Sequence, residues 1–127
     1  MGNSEAKGLK RLINATRYSL AGLKAAWKHE EAFRMEIVAA VIMLPSAFWL
    51  GQTATQRGLL IGTCLIVMIT ELLNSAIEAV VDRIGSDHHE LSGRAKDIGS
   101  AAVMLSLIMT VMVWADIILE RFCPAAS

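Results

Sequence analysis

Large apolar residues recur at helical spacing between positions 9 and 28, with basic residues over much of the remaining circumference. The apolar positions are Leu9, Leu12, Ile13, Leu20, Leu23 and Trp27. A basic amphipathic helix that ends in Trp is typical of the headgroup region of a bilayer. This pattern predicts a helix that lies on a membrane surface, and the alternative is a helix packed on a soluble core.

Three long apolar segments follow this helix, at about 32–50, 58–82 and 96–119. Each is close to the roughly 20 residues that a membrane-spanning helix requires. Pro45 is expected to bend the first segment, and Ser92 with Gly93 is expected to start the third helix. The sequence therefore predicts an all-α membrane protein with three transmembrane helices, an N-terminal amphipathic surface helix, and a single domain over 1–127.

The composition agrees with a membrane protein. Of the 127 residues, 54% are hydrophobic and 19% charged, which is too apolar for an ordinary soluble domain. Twelve basic residues balance twelve acidic ones, so no net charge favours nucleic acid as a partner. Cys64 and Cys123 are too few and too far apart for a disulfide framework or a metal knuckle.

The distribution of basic residues predicts the orientation. Seven of the twelve Lys and Arg residues lie at or before Arg34, and three more lie between the second and third segments. Because cytoplasmic loops of membrane proteins are enriched in Lys and Arg, we expect the N-terminus and the second loop to be cytoplasmic. The protein is then expected to be a multi-pass membrane protein with a cytoplasmic N-terminus.

The second apolar segment carries an unusual set of polar residues on one helix face. Glu71, Asn74, Glu78 and Asp82 are spaced i, i+3, i+7 and i+11, and Ser75 shares their face. An ionisable group at membrane depth costs roughly 2.5 kcal/mol or more, so this face must contact protein or water. The pattern favours a functional site, and polar contacts that merely hold helices together are the alternative.

The two glutamates of this face are expected to have different roles. They are two turns apart, about 10.5 Å along the helix, which is too far to hold one small cation together. Glu78, with Glu30 from the same side, could supply hard oxygen ligands for Mg²⁺. Glu71 lies deeper and would suit a general base.

The loop before the third segment adds cations beside this face. Lys96 and Arg94 could neutralise phosphate oxygens, and Arg11 could approach from the surface helix. A charged loop alone is more often a solvated turn. The sequence contains neither G-x-x-x-x-G-K-[ST] nor G-x-G-x-x-G, so the two best-known nucleotide-binding loops are absent.

Two long motifs resemble the signature of the bacterial integral-membrane diacylglycerol kinases. They are ELLNSAIEAVVDRIG at 71–85 and HELSGRAKDIGSAA at 89–102. AAWKHEEAFR at 25–34 and Tyr18-Ser19 extend the resemblance to nearly the whole chain. The chain departs from the best-known members at Met35, where they carry Gln, and at Leu20, where they carry Trp, which affects the expected lipid contacts more than the chemistry.

The resemblance implies a homotrimer with active sites between protomers, which transfers the γ-phosphate of ATP to the hydroxyl of diacylglycerol in the presence of Mg²⁺. Glu71 then matches the catalytic base, and Asn74 matches a polar residue that supports it. The implied metal ligands are Glu30 and Glu78. The implied nucleotide contacts are Arg11, Tyr18, Glu30, Glu78, Asp87, His88, His89, Lys96 and Asp97. The implied lipid-substrate contacts are Arg11, Trp27, Glu31, Met35, Trp49, Glu71 and Ser100.

Three other functions are compatible with the residues. A kinase of the same fold could act on undecaprenol, because no residue of the spans reveals the type of acyl chain. A small oligomeric proton-coupled transporter would also use buried acids, although it would not explain why Glu30, Arg94, Lys96 and Asp97 gather at one end. A structural membrane adaptor would need Glu71 only for assembly.

Overall fold

The periodic segments of the sequence fold as four helices. The computed structural model describes residues 2–124, with side chains from residue 4. Its helices are α1 (Gly2–His29), α2 (Glu31–Leu50), α3 (Ala54–Ile84) and α4 (Glu90–Phe122). The last three are long and apolar enough to cross a membrane, and residues 2–124 contain no strand. The predicted all-α membrane fold is therefore confirmed.

The helices extend beyond the apolar segments, most clearly at the start of α4. The Nδ1 atom of His89 accepts a hydrogen bond from the backbone N–H of Leu91 at 3.1 Å. This cap satisfies one of the free N–H groups of the first turn, so the helix begins at Glu90. The expected start at Ser92 and Gly93 is wrong, because the imidazole of His89 caps the helix before the chain reaches the serine.

The junction between α1 and α2 is fixed by one arginine. Arg34 donates from Nη1 to the backbone carbonyls of Trp27 at 2.8 Å and Lys28 at 3.2 Å. These carbonyls belong to the last turn of α1 and have no partner within an α-helix, so the guanidinium stabilises the end of α1. Glu30 adopts an extended conformation between the helices, and its carboxylate makes no cap hydrogen bond. That carboxylate is free to face a ligand.

The apolar core lies at the end of the bundle where α2 turns into α3. Ala47, Leu50, Leu60 and Ile117 are buried together there, and they bring α2, α3 and α4 into contact. Leu60 and Ala47 are completely inaccessible to solvent. This cluster anchors one end of the three long helices and thereby fixes how the other end is arranged.

Small and hydroxyl side chains of α4 pack against α3. Gly99, Ser106 and Thr110 are buried, and α3 and α4 form the most extensive helix pair in the described chain. Thr110 donates to the backbone carbonyl of Thr63 at 3.4 Å, and the Trp114 indole donates to the Thr63 hydroxyl at 3.1 Å. Small side chains allow close helix approach in membranes. Most of this face is thus used within one protomer.

The outer faces of the long helices remain apolar and exposed. Val41, Leu73 and Val111 are each exposed by more than 60%. A surface of this kind is stable in contact with lipid tails or with another apolar protein surface.

Candidate functional site

The polar face of α3, which we call the acidic stripe, comprises Glu71, Asn74, Ser75, Glu78 and Asp82. Glu71, Asn74 and Ser75 are less than a tenth exposed. Glu78 is half-buried and Asp82 is exposed. The stripe therefore runs from a buried carboxylate to a solvated one within three turns, as the spacing in the sequence predicts.

Acidic residues from other parts of the chain approach the stripe. The carboxylate of Glu71 lies close enough to those of Glu78 and Glu30 to be repelled by both. Glu30 reaches this place because the extended break between α1 and α2 positions it beside α3. Like charges in a partly buried region raise the free energy unless a cation shares the site. The arrangement is therefore suited to binding a cation.

Glu36 is a further acid near the site, and it is absent from the site residues predicted from the sequence. It is half-buried on α2, its Oε2 atom has no hydrogen-bond partner in the described chain, and its carboxylate repels that of Glu71. It also faces an apolar cavity of about 220 Å³. A charged residue inside an otherwise apolar segment was the signal that could have identified it.

A second cavity separates α1 from α3. It has a volume of about 620 Å³, and Ser19, His29, Glu30 and Ser75 are among the residues that line it. The hydroxyl oxygen of Ser75 is buried and has no hydrogen-bond partner in the described residues. Because buried polar atoms are normally hydrogen-bonded, this oxygen indicates room for water or for a polar ligand group.

The loop between α3 and α4 forms a polar pocket. It has a volume of about 210 Å³, and its lining includes Asp82, Asp87, His88, His89 and Lys96. Lys96 forms an ion pair with Asp82, with 2.7 Å between Nζ and Oδ1. His89 uses Nδ1 as the cap of α4, so its proton is on Nε2 and can be donated to a ligand. The pocket thus offers cationic and N–H donors to an anion.

Other predicted site residues are exposed, and no described hydrogen bond or ion pair joins them to the acids. They are Arg11, Tyr18, Trp27, Glu31, Met35, Asp97 and Ser100. Trp49 lies at the opposite end of α2, where its ring is 5.8 Å from that of Phe122 and the guanidinium carbon of Arg121 is 5.5 Å from its centroid. The structure therefore brings together the acids and the loop donors but separates them from Trp49.

The residues present are compatible with a magnesium site. Among residues 2–124, no group of three or more His, Cys, Asp or Glu side chains is close enough to hold a metal alone. Mg²⁺ usually binds one or two carboxylates and completes its shell with water and substrate phosphates. Glu30 and Glu78 are both near Glu71 and are the carboxylates that could supply such a pair, and the buried Ser75 hydroxyl lines the same cavity as Glu30.

The chain is similar to known proteins over most of its length. Residues 17–118 match the family model of prokaryotic diacylglycerol kinase. The chain is 54% identical over 115 residues to a diacylglycerol kinase of Escherichia coli, covering 91% of this chain and 94% of that protein. It is 55% identical over 111 residues to a diacylglycerol kinase of Haemophilus influenzae, covering 87% of this chain and 94% of that protein. It is 50% identical over 112 residues to a diacylglycerol kinase of Pseudomonas aeruginosa, covering 88% of this chain and 91% of that protein. The chain therefore belongs to the prokaryotic diacylglycerol kinase family.

Proposed function

We propose that this protein transfers the γ-phosphate of ATP to the free hydroxyl of diacylglycerol and releases ADP and phosphatidic acid. The observation that carries the proposal is that Glu78 and Glu30 both lie near the buried Glu71, while Lys96 of α4 lies near Glu78 and lines a polar pocket with the residues of the α3–α4 loop. Phosphoryl transfer needs mainly positioning and neutralisation of charge. This small set of groups can supply both.

Glu71 acts as the general base in this proposal. Glu71 is less than a tenth exposed, which keeps its carboxylate away from bulk water, and in this proposal the lipid hydroxyl approaches it from the membrane. The hydroxyl oxygen attacks the γ-phosphorus while Glu71 accepts its proton, and the bond between the γ-phosphorus and the bridging oxygen breaks. A positioned base of this kind contributes roughly 10²–10⁴-fold to the rate. Asn74 lies one turn along α3 and supports the acids through its hydrogen bond to Glu78 at 3.5 Å.

Glu30 and Glu78 would hold Mg²⁺ with the nucleotide phosphates. When bound, the metal neutralises the charge that develops on the phosphates. The free carboxylate of Glu30, held at the break between α1 and α2, supports this assignment. Replacing Glu78 with Gln should raise the Mg²⁺ concentration needed for half-maximal rate.

The α3–α4 loop binds the nucleotide. Lys96 turns from Asp82 to a phosphate oxygen, and the Nε2–H group of His89 donates to the nucleotide, with contacts from Asp87 and His88. Arg11, Tyr18 and Asp97, which are exposed in one protomer, complete the nucleotide site. Trp27, Glu31, Met35, Trp49 and Ser100, together with Arg11, contact the lipid. Charge-assisted hydrogen bonds to phosphate are the strong ones, so Lys96 is expected to contribute most.

The active unit is a homotrimer in the inner membrane of a bacterium, with the N-terminus in the cytoplasm. The number of three protomers is what the family resemblance implies, and the physical support is for more than one copy. One protomer leaves apolar faces exposed on all three long helices, and it leaves Arg11, Tyr18, Asp97 and most of the proposed lipid contacts exposed. A neighbouring protomer could cover these faces and bring those residues to the site. The basic residues at the N-terminus and in the second loop favour the orientation.

Family membership favours a kinase over a transporter or an adaptor. The named relatives, which are at least 50% identical, are all diacylglycerol kinases, which favours diacylglycerol over undecaprenol as the lipid alcohol.

The decisive experiment is transfer of labelled γ-phosphate from ATP to diacylglycerol in mixed micelles. We expect strong labelling with Mg²⁺ and none after chelation. Undecaprenol in matched micelles should be labelled much more slowly. Equal or faster labelling of undecaprenol would contradict the assigned substrate. Absence of labelling from a well-folded oligomer, together with proton flux in liposomes without ATP, would contradict the kinase assignment.

A further inference from the structure

Gly99 in α4 occupies a place where a side chain of α3 fills the space that a larger residue would need. A methyl group on its Cα would overlap the carboxamide oxygen of Asn74 and lie 3.2 Å from the Cγ atom of Asn74. For the helical glycines Gly8, Gly22, Gly58, Gly62 and Gly93, no heavy atom beyond their own stretch of helix lies within 4 Å of the same position. The contact between Gly99 and Asn74 is therefore a specific one.

The backbone of α4 gives no reason for glycine at this position. The described glycines all lack a positive φ, so Gly99 has an ordinary helical conformation that alanine would adopt equally well. Glycine inside a helix is less favourable than alanine. What distinguishes glycine here is therefore the missing side chain, which leaves space for the carboxamide of Asn74.

The carboxamide of Asn74 is held between two neighbours. Its nitrogen donates to Oε1 of Glu78 at 3.5 Å, and its oxygen faces Gly99, buried and without a hydrogen-bond partner in the described residues. A carboxylate accepts hydrogen bonds and does not donate them, so the amide nitrogen must be the atom that faces Glu78. Any group added at Gly99 would rotate the carboxamide and weaken that hydrogen bond.

We propose that Gly99 is a positioning residue: its missing side chain sets the orientation of the Asn74 carboxamide and, through it, of the Glu78 carboxylate. This inference rests on the proposed function of Asn74 and Glu78. It assigns a part in the reaction to a residue that carries no reactive group and lies on the opposite helix.

The test compares Gly99→Ala with Gly62→Ala. Gly62 lies within α3, and its substitution meets open space. We expect Gly99→Ala to lower kcat strongly, because a displacement of about 1 Å at a reacting centre can cost about 10²-fold. Gly62→Ala should keep the kcat of the unmodified protein. A Gly99→Ala protein with unchanged kcat would overturn the proposal.

A double-substitution cycle with Asn74→Ala separates positioning from simple packing. If Gly99 acts through the carboxamide, adding Gly99→Ala to Asn74→Ala should cost little further activity. An equal loss in both backgrounds would mean that Gly99 acts elsewhere, and the proposal would be wrong. If Asn74→Ala itself keeps full activity, the assigned role of Asn74 fails, which is a different result from failure of the Gly99 inference.

One further measurement holds even if Gly99→Ala does not fold, and a second applies when it does. The double variant should fold, because the methyl group then occupies the space of the removed carboxamide, and its failure to fold would overturn the proposal. In folded Gly99→Ala, the side-chain amide NMR signal of Asn74 should shift. The signal of Asn14, which is half-exposed on α1, should stay in place. An unmoved Asn74 signal would contradict the proposal without reference to activity.

Discussion

The interface between α3 and α4 has two halves, which differ in whether their buried polar groups have hydrogen-bond partners. In the hydroxyl half, formed by Thr63, Ser106, Thr110 and Trp114, each side-chain donor has a described hydrogen-bond acceptor in α3 or α4. In the acidic half, formed by Asn74 and Glu78 opposite Gly99 and continued by Glu71 and Ser75 on the neighbouring side of α3, buried oxygens of Asn74 and Ser75 have no partner in the described chain.

This difference indicates that the hydroxyl half stabilises the fold, whereas the acidic half serves the function. Buried polar groups with partners stabilise a fold, whereas buried groups without partners lower its stability unless a ligand or another chain supplies the missing contacts. Substitutions in the hydroxyl half should therefore reduce stability, and those in the acidic half should reduce activity.

The largest effect is expected at Glu71. Glu71→Gln removes the proposed base and should lower kcat by roughly 10²–10⁴-fold, since amide groups do not accept the proton. Because the substitution also removes repulsion from Glu78 and Glu30, the folded protein should not become less stable. The measurement is labelled phosphate transfer together with thermal unfolding. Asp116→Asn, at an exposed acid near the other end of α4, is the control and should be fully active.

The apolar core beside the hydroxyl half should show the opposite result. Leu60 is completely buried, and Leu60→Ala should lower the free energy of unfolding by about 2–5 kcal/mol through lost contacts and a cavity. The folded fraction should keep its kcat. Leu59→Ala is the matched control, because the neighbouring side chain is about half exposed. A loss of kcat in folded Leu60→Ala would remove the distinction between the two halves.

A smaller loss of stability is expected at Thr63. Thr63→Val keeps the shape of the side chain but removes the acceptor of the Trp114 indole N–H. Hydrogen bonds between helices in membranes contribute about 0.6 kcal/mol on average and at most about 1.7 kcal/mol. Reversible unfolding in detergent would measure the loss. Thr70→Val is the control, because Thr70 bonds only within its own helix, to the carbonyl of Ile66. Equal effects at both sites would contradict the structural role of the pair.

The smallest effect on stability is expected at Asp82. Its ion pair with Lys96 joins α3 to α4, but the two side chains are 68% and 43% exposed, and exposed ion pairs contribute little. Asp82→Asn should leave the unfolding midpoint unchanged. A large decrease would mean that the ion pair holds the helices together, and Lys96 would then be a structural residue instead of one available to a phosphate.

The fold could be predicted from the sequence because its main determinants are local. The lengths of the apolar segments predict three spans, and the spacing of Glu71, Asn74 and Glu78 predicts a polar helix face. The features that the sequence did not predict depend on contacts between residues far apart in the chain, or on helix caps for which several side chains were possible donors. The approach of Glu36 to Glu71, the capping of α1 by Arg34 and the overlap between Gly99 and Asn74 all require the packed helices, and periodicity alone does not contain them.

The exposed apolar faces of the long helices have a kinetic consequence. A diacylglycerol kinase with such surfaces lies in the same bilayer as its lipid substrate. The lipid therefore reaches it by diffusion in two dimensions. The relevant substrate concentration is then the mole fraction of diacylglycerol in the bilayer, not its amount per volume of suspension. Diluting the membrane with inert lipid would slow such an enzyme, whereas diluting the suspension with buffer would not.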